Sequence, residues 1–117
     1  MLPHETKKYF FDIAEACDLI AQFTAGKTFS DYQHDPLLRS AVERQFEIVG
    51  EALCQAIRHD ANVAELISNS SRIISFRNRL IHGYSTISDN VVWGVIETNL
   101  PLLTREVNVL LENGAVH

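Results

Sequence analysis

Apolar residues recur along four stretches of the chain at the three- and four-residue spacing of amphipathic helices. No stretch alternates convincingly with the two-residue period of a half-buried strand. The first stretch predicts a helix from about residue 5 to residue 24, and Gly26 is expected to stop it. Residues 26–35 are predicted to form a polar loop. The inward stripe of this first helix consists of Tyr9, Phe10, Ile13, Ala14, Cys17, Ile20, Ala21 and Thr24.

The second and third predicted helices carry recognisable boundary signals. Asp35 supplies an acceptor side chain at the cap and Pro36 suits the first helical position, so a helix is predicted from there to about Arg58. A third helix is predicted from Ser70 to Gly83, because glycine tolerates the left-handed backbone that ends many helices. The buried side of this third helix is predicted to comprise Ile73, Ile74, Phe76, Leu80 and Ile81.

A fourth helix is predicted to begin at Ser88 and to end at Gly114. Pro101 lies inside it and is expected to kink it, because proline lacks a backbone donor and crowds the carbonyl of Glu97. Its apolar stripe runs through Val92, Val95, Ile96, Leu100, Leu103, Val107 and Leu110. Residues 60–68 are expected to add a short helical turn. The sequence therefore predicts an all-α fold, an antiparallel bundle of four helices or up to five.

Bulk properties place the chain among ordinary globular proteins. Its 117 residues predict a single domain over 1–117, with 46% hydrophobic and 21% charged residues. The chain has no apolar run of membrane-spanning length and no signal-peptide pattern at its amino terminus, so we expect a cytoplasmic protein. Two cysteines are too few for a disulfide framework. Cys17 is expected in the core, and Cys54, beside Gly50, against another helix.

One short segment concentrates positive charge on an otherwise acidic chain. Arg72, Arg77, Arg79 and His82 lie between residues 70 and 88 with no Asp or Glu among them, whereas the whole chain has a net charge of -5. Guanidinium groups bind phosphate and carboxylate oxygens through paired hydrogen bonds. The cluster therefore predicts a site for an anionic ligand, with phosphate as the first candidate.

Helical geometry separates the two groups best suited to phosphate chemistry. Asn78 and His82 are four residues apart and share a face, but Arg77 and His82 are five apart and diverge by roughly 140°. Either the backbone unwinds around Gly83, or a second copy of the chain completes the site. A symmetric dimer brings two copies of the same helix end together, and we therefore expect a homodimer.

The residue types fit the cleavage of RNA. An imidazole that titrates near neutral pH can take the proton of a 2′-hydroxyl or give one to the leaving oxygen. A guanidinium can hold the phosphate and stabilise the charge that develops on it. No metal ion is then required, and no pair of His, Asp or Glu residues has convincing metal-ligand spacing. We expect neither a metal nor another cofactor.

Structural explanations of the same residues stay open at this point. Cations near the carboxyl end of a helix interact well with its dipole, so arginines followed by His-Gly also occur in helix ends without any activity. Glu43, Glu47 and Glu51 repeat every four residues. They are expected to form a solvated row with Arg39 and Arg44 as partners. A glutamate row beside a nuclease cleft is the alternative.

The order of these residues resembles the HEPN superfamily, and most closely its HepT-like branch with the motif Arg-x4-His-x-Tyr. In this chain the motif reads Arg77, His82 and Tyr84, and Asn78 is the polar residue that often follows the arginine. The block at 43–53 and the segment from Val92-Trp93 through Leu100-Pro101 also look like this branch. The resemblance covers nearly the whole chain.

The resemblance implies a HEPN-like all-α bundle that dimerises so that two motifs line one cleft. It implies a metal-independent endoribonuclease acting as the toxin of a toxin–antitoxin pair, with Arg77 and His82 catalytic. Asn78, Arg79 and Arg72 would support RNA binding. The implied partner is an MntA-like minimal nucleotidyltransferase antitoxin, which would silence the toxin by transferring AMP to Tyr84.

Two other functions remain compatible with the motif. The chain could be a non-catalytic helical accessory subunit that binds nucleotide or substrate for a partner nucleotidyltransferase. It could also be a dimerisation bundle whose cationic patch has no role. Binding of nucleotide or partner without any RNA cleavage would favour the accessory subunit. Unchanged growth effects and partner binding after substitution of Arg77, His82 and Tyr84 would favour the structural bundle.

Overall fold

The chain is helical over most of its length. The computed structural model describes residues 4–82 and 87–116, and no strand occurs within these two ranges. The elements are α1 (His4–Thr24), α2 (Phe29–His34), α3 (Pro36–His59), α4 (Val63–Leu66), α5 (Ser70–His82), α6 (Asp89–Gly94), a π-helical segment (Val95–Asn99) and α7 (Leu100–Val116). The prediction of an all-α bundle is confirmed. The last helix runs past Gly114, so the end predicted there was wrong.

Helices α1 and α3 form the centre of the bundle and run antiparallel. The start of α1 meets the end of α3, where Glu5 Oε2 lies 3.0 Å from His59 Nδ1 and the ring of Tyr9 stacks on that imidazole. Helix α7 packs on α1, and α5 packs on α3. Most residues of the predicted stripes lie in or against the core between them, including Cys17, but Ala21 is exposed, so its assignment to the inward stripe was wrong. The largest fully buried side chains include those of Phe10, Ile13, Ile20, Tyr32 and Leu53.

The segment predicted as a polar loop contains a helix, α2. Thr28 caps it: the Asp31 N–H donates to Thr28 Oγ1 at 3.1 Å, and the Thr28 N–H donates to Asp31 Oδ2 at 2.9 Å. This reciprocal pair satisfies two backbone donors at the helix start. The loop prediction was therefore wrong for residues 29–34, although the Thr-x-x-Asp signal is present in the sequence. Only the preceding turn, where Gly26 has φ +73°, is irregular.

Helix α2 anchors α6 to the bundle. Tyr32 is fully buried, and its ring centroid lies 5.5 Å from that of Trp93. The ring of Phe29 lies 6.4 Å from the same indole. Aromatic pairs at this spacing add to the free energy gained by burial. These contacts hold α6, which begins the last helical stretch, against α2, which the sequence pattern had assigned to a loop.

The disturbance expected at Pro101 takes the form of a π-helical turn. The Leu100 N–H donates to the carbonyl of Val95, five residues earlier. In an α-helix the nitrogen of Pro101 would face the carbonyl of Glu97 without a hydrogen to donate, and its ring would crowd that oxygen. The wider turn over Val95–Asn99 accommodates the proline within a continuous helical stretch.

Helix α5 lies at the edge of the bundle. It packs on α3 and α4, and none of its residues is fully buried. Ile73, Ile74, Phe76 and Leu80 are half-buried against the core, as predicted. Ile81 is 47% exposed, so its assignment to the buried side was wrong. The chain alone leaves part of the apolar surface of α5 in water.

Helices α3 and α5 approach most closely at Gly50. A Cβ atom built on this glycine would lie 2.3 Å from Arg77 Cβ and 2.5 Å from Arg77 Cγ. Phe46 and Phe76 meet edge to face beside this crossing, with ring centroids 5.3 Å apart. The crossing therefore requires a residue without a side chain on α3, since the stem of Arg77 occupies the space.

The glutamate row on α3 is not uniformly solvated. Glu47 pairs with Arg44 at 3.3 Å as expected, but Arg39 lies 4.0 Å from Asp89 of α6. Burial, reinforced by Asp89 and Glu47 and opposed by Arg39, raises the pKa of Glu43 above its ordinary value. The ionised form of Glu43 is therefore disfavoured by the fold.

Substitution of Gly50 is expected to destabilise the protein. Gly50→Ala forces the two helices apart at Arg77 and should lower the free energy of unfolding by about 1–3 kcal/mol. Gly94→Ala is the matched control, because a Cβ there meets no atom within 4 Å; removing a helical glycine should raise stability by about 0.5–1 kcal/mol. Urea unfolding measures both. Equal effects of the two substitutions would contradict the crossing geometry.

Removal of the Glu43 charge is expected to stabilise the protein at neutral pH. A carboxyl whose pKa is raised by folding contributes stability below its unfolded pKa and loses that contribution as pH rises through the folded pKa. Glu43→Gln should therefore raise the free energy of unfolding at pH 7. The gain should decrease as pH falls through the folded pKa and should be absent below about pH 4, near the pKa of a free Glu. A variant less stable than the wild type at pH 7 would mean that the attraction to Arg39 outweighs burial.

Candidate functional site

Arg77 is held against α3 by its neighbours there. Its side chain is only 16% exposed, and its Nη2 lies 3.2 Å from Glu51 Oε2 and donates to Cys54 Sγ at 3.0 Å. Its Nε is buried without a hydrogen-bond partner among the described residues. The expectation that Cys54 contacts another helix is confirmed. The guanidinium is thus fixed at one of its two terminal nitrogens, and Nη1 makes no hydrogen bond within 4–82 and 87–116.

The remaining polar groups of the motif lie on a different side of α5. Asn78 and His82 are both exposed and share a helical face. Arg77 points toward α3 instead, so within one chain the guanidinium and the imidazole do not lie on one face. Tyr84 and Gly83 lie outside the described residues. The divergence that helical geometry predicted between Arg77 and His82 is confirmed.

Arg72 and Arg79 line a cleft beside α5. They are seven residues apart, which puts them on the same side of the helix about two turns from one another, and both are exposed. The cleft has a volume of about 410 Å³. Its apolar lining includes Phe46, Val49, Phe76, Val91, Val95 and Leu103.

Three helical walls enclose this cleft. Helix α3 forms the floor, α5 forms one side, and the stretch from α6 to α7 forms the other. Ser68, just before α5, ties the two sides together: its N–H and hydroxyl donate to the Glu106 carboxylate on α7 at 3.1 Å and 2.7 Å. Neither Arg77 nor His82 is among the lining residues. The cleft therefore gathers two of the three arginines and separates them from the third.

The two exposed arginines beside the cleft have no acidic partner among the described residues. In the described part of the chain, no ion pair involves Arg72 or Arg79, whereas Arg77 is paired with Glu51. Two guanidinium groups thus face solvent on a protein of net charge -5. Such groups are suited to hold an anion with two or more charged oxygens.

The described residues contain neither a metal-binding cluster nor a membrane-spanning helix. Residues 4–82 and 87–116 contain no group of three or more His, Cys, Asp or Glu side chains arranged to hold a metal ion. None of the helices there combines the length and apolar character needed to cross a bilayer.

Sequence reasoning identified the arginines, the asparagine and the histidine but missed Glu51 as the partner of Arg77. The signal was available in part, because Gly50, Glu51 and Cys54 lie within little more than one turn of α3. Which helix would face them depended on how α5 crosses α3. The cleft was missed for the same reason, since its shape depends on the separation of α5 from α7.

The sequence of this chain is similar to a known family model and to several known proteins. A family model for HepT-like ribonucleases matches residues 13–110. A protein of Thermococcus cleftensis named "Probable ribonuclease HepT" is 34% identical over 97 residues, which cover 83% of this chain and 87% of the relative. "Putative RNase MJ1380" of Methanocaldococcus jannaschii is 26% identical over 110 residues, covering 94% of this chain and all of that protein. No solved structure matches the chain significantly.

The family model spans most of the chain, including the whole of α5, and the Thermococcus relative is similar over nearly its full length. The helical fold and the Arg-x4-His order at the end of α5 agree with this match. The chain belongs to the HepT-like ribonuclease family.

Proposed function

We propose that this protein is a metal-independent endoribonuclease that acts as a homodimer in the cytoplasm and serves as the toxin of a toxin–antitoxin pair. The observation that carries the proposal is helix α5, where the exposed imidazole of His82 follows the exposed guanidinium groups of Arg72 and Arg79, which pair with no carboxylate among the described residues. Membership of a ribonuclease family supports RNA as the substrate.

The proposed reaction uses the 2′-hydroxyl of the RNA as the nucleophile. His82 accepts the proton of that hydroxyl as the 2′-oxygen bonds to phosphorus, and it returns this proton to the departing 5′-oxygen as the P–O5′ bond breaks. Arg77 donates hydrogen bonds to the phosphoryl oxygens as negative charge builds on them. The products are a 2′,3′-cyclic phosphate and a free 5′-hydroxyl, and the proton balance closes through His82.

A second copy of the chain is proposed to complete the site. Three features support this: Arg77 and His82 diverge, α5 lies at the edge of the bundle, and Ile81 at its end is 47% exposed. An isologous contact between two α5 ends would bury Ile81 and bring Arg77 of one chain toward His82 of the other.

Arg72, Arg79 and Asn78 are proposed to hold the RNA on either side of the scissile phosphate. The arginines lie seven residues apart along α5, a distance of about 10 Å at helical rise, so they would contact different phosphates. Asn78 shares a face with His82 and would bond to a sugar or phosphate oxygen beside it. Because these contacts are to the backbone, they supply affinity that depends on salt.

Regulation is proposed to act on Tyr84 through a minimal nucleotidyltransferase of the MntA type. The phenol oxygen would attack the α-phosphorus of ATP, and pyrophosphate would leave. The added AMP would place bulk and negative charge next to the motif and compete with RNA for the guanidinium groups.

Substitution of His82 is expected to stop cleavage without unfolding the protein. His82→Ala should lower the rate by at least about 100-fold, as expected for loss of a general acid–base group, and wild-type cleavage should survive EDTA. His34→Ala on α2 is a matched control, since this histidine is exposed and remote in sequence. Gel analysis of a labelled RNA measures the rate. Cleavage by a folded His82→Ala protein at the wild-type rate would refute the mechanism.

Mixing inactive variants tests whether the site is shared. If Arg77 of one chain serves His82 of the other, dimers of Arg77→Ala with His82→Ala retain one intact site. Random exchange should then restore about a quarter of wild-type activity, whereas sites built from one chain would give none. Circular dichroism checks that each variant folds. Intact RNA with nucleotide bound would instead favour a non-catalytic accessory subunit.

Substitution of Tyr84 is expected to separate activity from regulation. Tyr84→Phe lacks the acceptor oxygen but keeps the ring, so it should cleave RNA at the wild-type rate. After incubation with the nucleotidyltransferase and ATP, only the wild type should gain the mass of AMP and lose activity. Intact-mass spectrometry and the cleavage assay give the two readouts. Equal silencing of both proteins would place the modification elsewhere.

A further inference from the structure

Three groups on one face of α3 surround the side chain of Arg77: the backbone of Gly50, the carboxylate of Glu51 and the thiol of Cys54. We propose that Glu51 is a positioning residue for Arg77, holding its guanidinium so that Nη1 is presented to the RNA phosphate. The inference rests on the proposed function and assigns a role to a residue that the motif does not contain.

The aliphatic part of the Arg77 side chain is held by packing, independently of the contacts that its guanidinium makes. Arg77 Cβ and Cγ lie 2.3 Å and 2.5 Å from where a Cβ on Gly50 would be, so they rest directly on the backbone of α3. A free arginine side chain has many accessible rotamers. Packing on Gly50 removes part of that freedom in advance, and it leaves the orientation of the guanidinium to be decided by its polar contacts.

The polar contacts of the guanidinium involve Nη2, and Nη1 makes none with the described residues. Nη2 donates a hydrogen bond to Cys54 Sγ at 3.0 Å and forms an ion pair with Glu51 Oε2 at 3.2 Å. Nε–H is buried against α3. Nη1 has no acceptor within 4–82 and 87–116, so its two hydrogens are the donors proposed for a ligand. Glu51 therefore determines which nitrogen meets the phosphate.

The ion pair is better suited to orientation than to stability. The Glu51 side chain is 55% exposed, and pairs with one solvated partner contribute little to the free energy of folding. Loss of the carboxylate is therefore expected to leave the bundle folded while Nη2 loses its ionic partner. A misplacement of about 1 Å in a group that stabilises the transition state can reduce the rate by about 100-fold.

Alanine at position 51 tests the proposal against a matched control. Glu51→Ala should lower kcat/KM for a defined RNA by about 10- to 100-fold. Glu51→Gln keeps an acceptor oxygen and should retain intermediate activity. Glu47→Ala removes a carboxylate one turn earlier, whose partner is Arg44, and should leave kcat and KM unchanged. All three variants should unfold at urea concentrations close to that of the wild type.

Coupling to Arg77 distinguishes positioning from a general structural effect. In an Arg77→Lys background, Glu51→Ala should cause little further loss, because the group on which it acts is already changed. Nitrogen NMR of the Arg77 guanidinium should show separate Nη signals in the wild type and in Glu47→Ala. The signals should merge in Glu51→Ala, where rotation is no longer restrained.

Failure of the proposed function and failure of this inference give different results. If the wild-type protein leaves RNA intact, the proposed nuclease activity is refuted, but the positioning role of Glu51 is not. The positioning role is then decided by the NMR signals and by binding of an RNA with 2′-deoxy at the scissile position, which Glu51→Ala should weaken relative to Glu47→Ala. Wild-type or higher activity of Glu51→Ala, beside an inactive Arg77→Ala, overturns the inference, as do unchanged Nη signals.

Discussion

The close crossing of α3 and α5 is the constraint on which the site depends. Only a glycine at position 50 lets the stem of Arg77 lie against the backbone of α3, and only that approach brings the guanidinium to Glu51 and Cys54. The crossing also fixes the rotation of α5 about its axis. Once Arg77 points inward, His82 and Asn78 must point to solvent, and Arg72 and Arg79 must face the cleft.

The electrostatics of the protein are local, not global. The net charge of -5 repels polyanions at long range, whereas the exposed arginines of α5 attract anions at short range. Glu51 partly neutralises one of the three in the described structure, while the two beside the cleft have no carboxylate partner there. The ion pair with Glu51 restrains the orientation of Arg77 but reduces its attraction for anions, whereas Arg72 and Arg79 keep their full attraction for anions.

The long helices, most of their boundaries and the divergence of Arg77 from His82 could be predicted, because each follows from signals within one helix; the end expected at Gly114 could not. Helix α2 could have been predicted from the Thr28–Asp31 cap but was hidden by its polar composition. The pairing of Glu51 with Arg77 and the exposure of Ile81 could not be, since both depend on where α5 lies relative to α3. Pro101 marked the right place, but spacing alone does not say whether a proline produces a bend or a wider turn.

That wider turn has a consequence for the architecture. A π turn inserts one residue relative to the α-helical repeat, which rotates everything after it by about 100° about the helix axis. The first part of the last helical stretch can thereby direct Trp93 toward α2, while the second part packs on α1. One continuous helical segment can thus pack on two neighbours that lie in different directions, because the turn at Val95–Asn99 changes the direction in which the later side chains point.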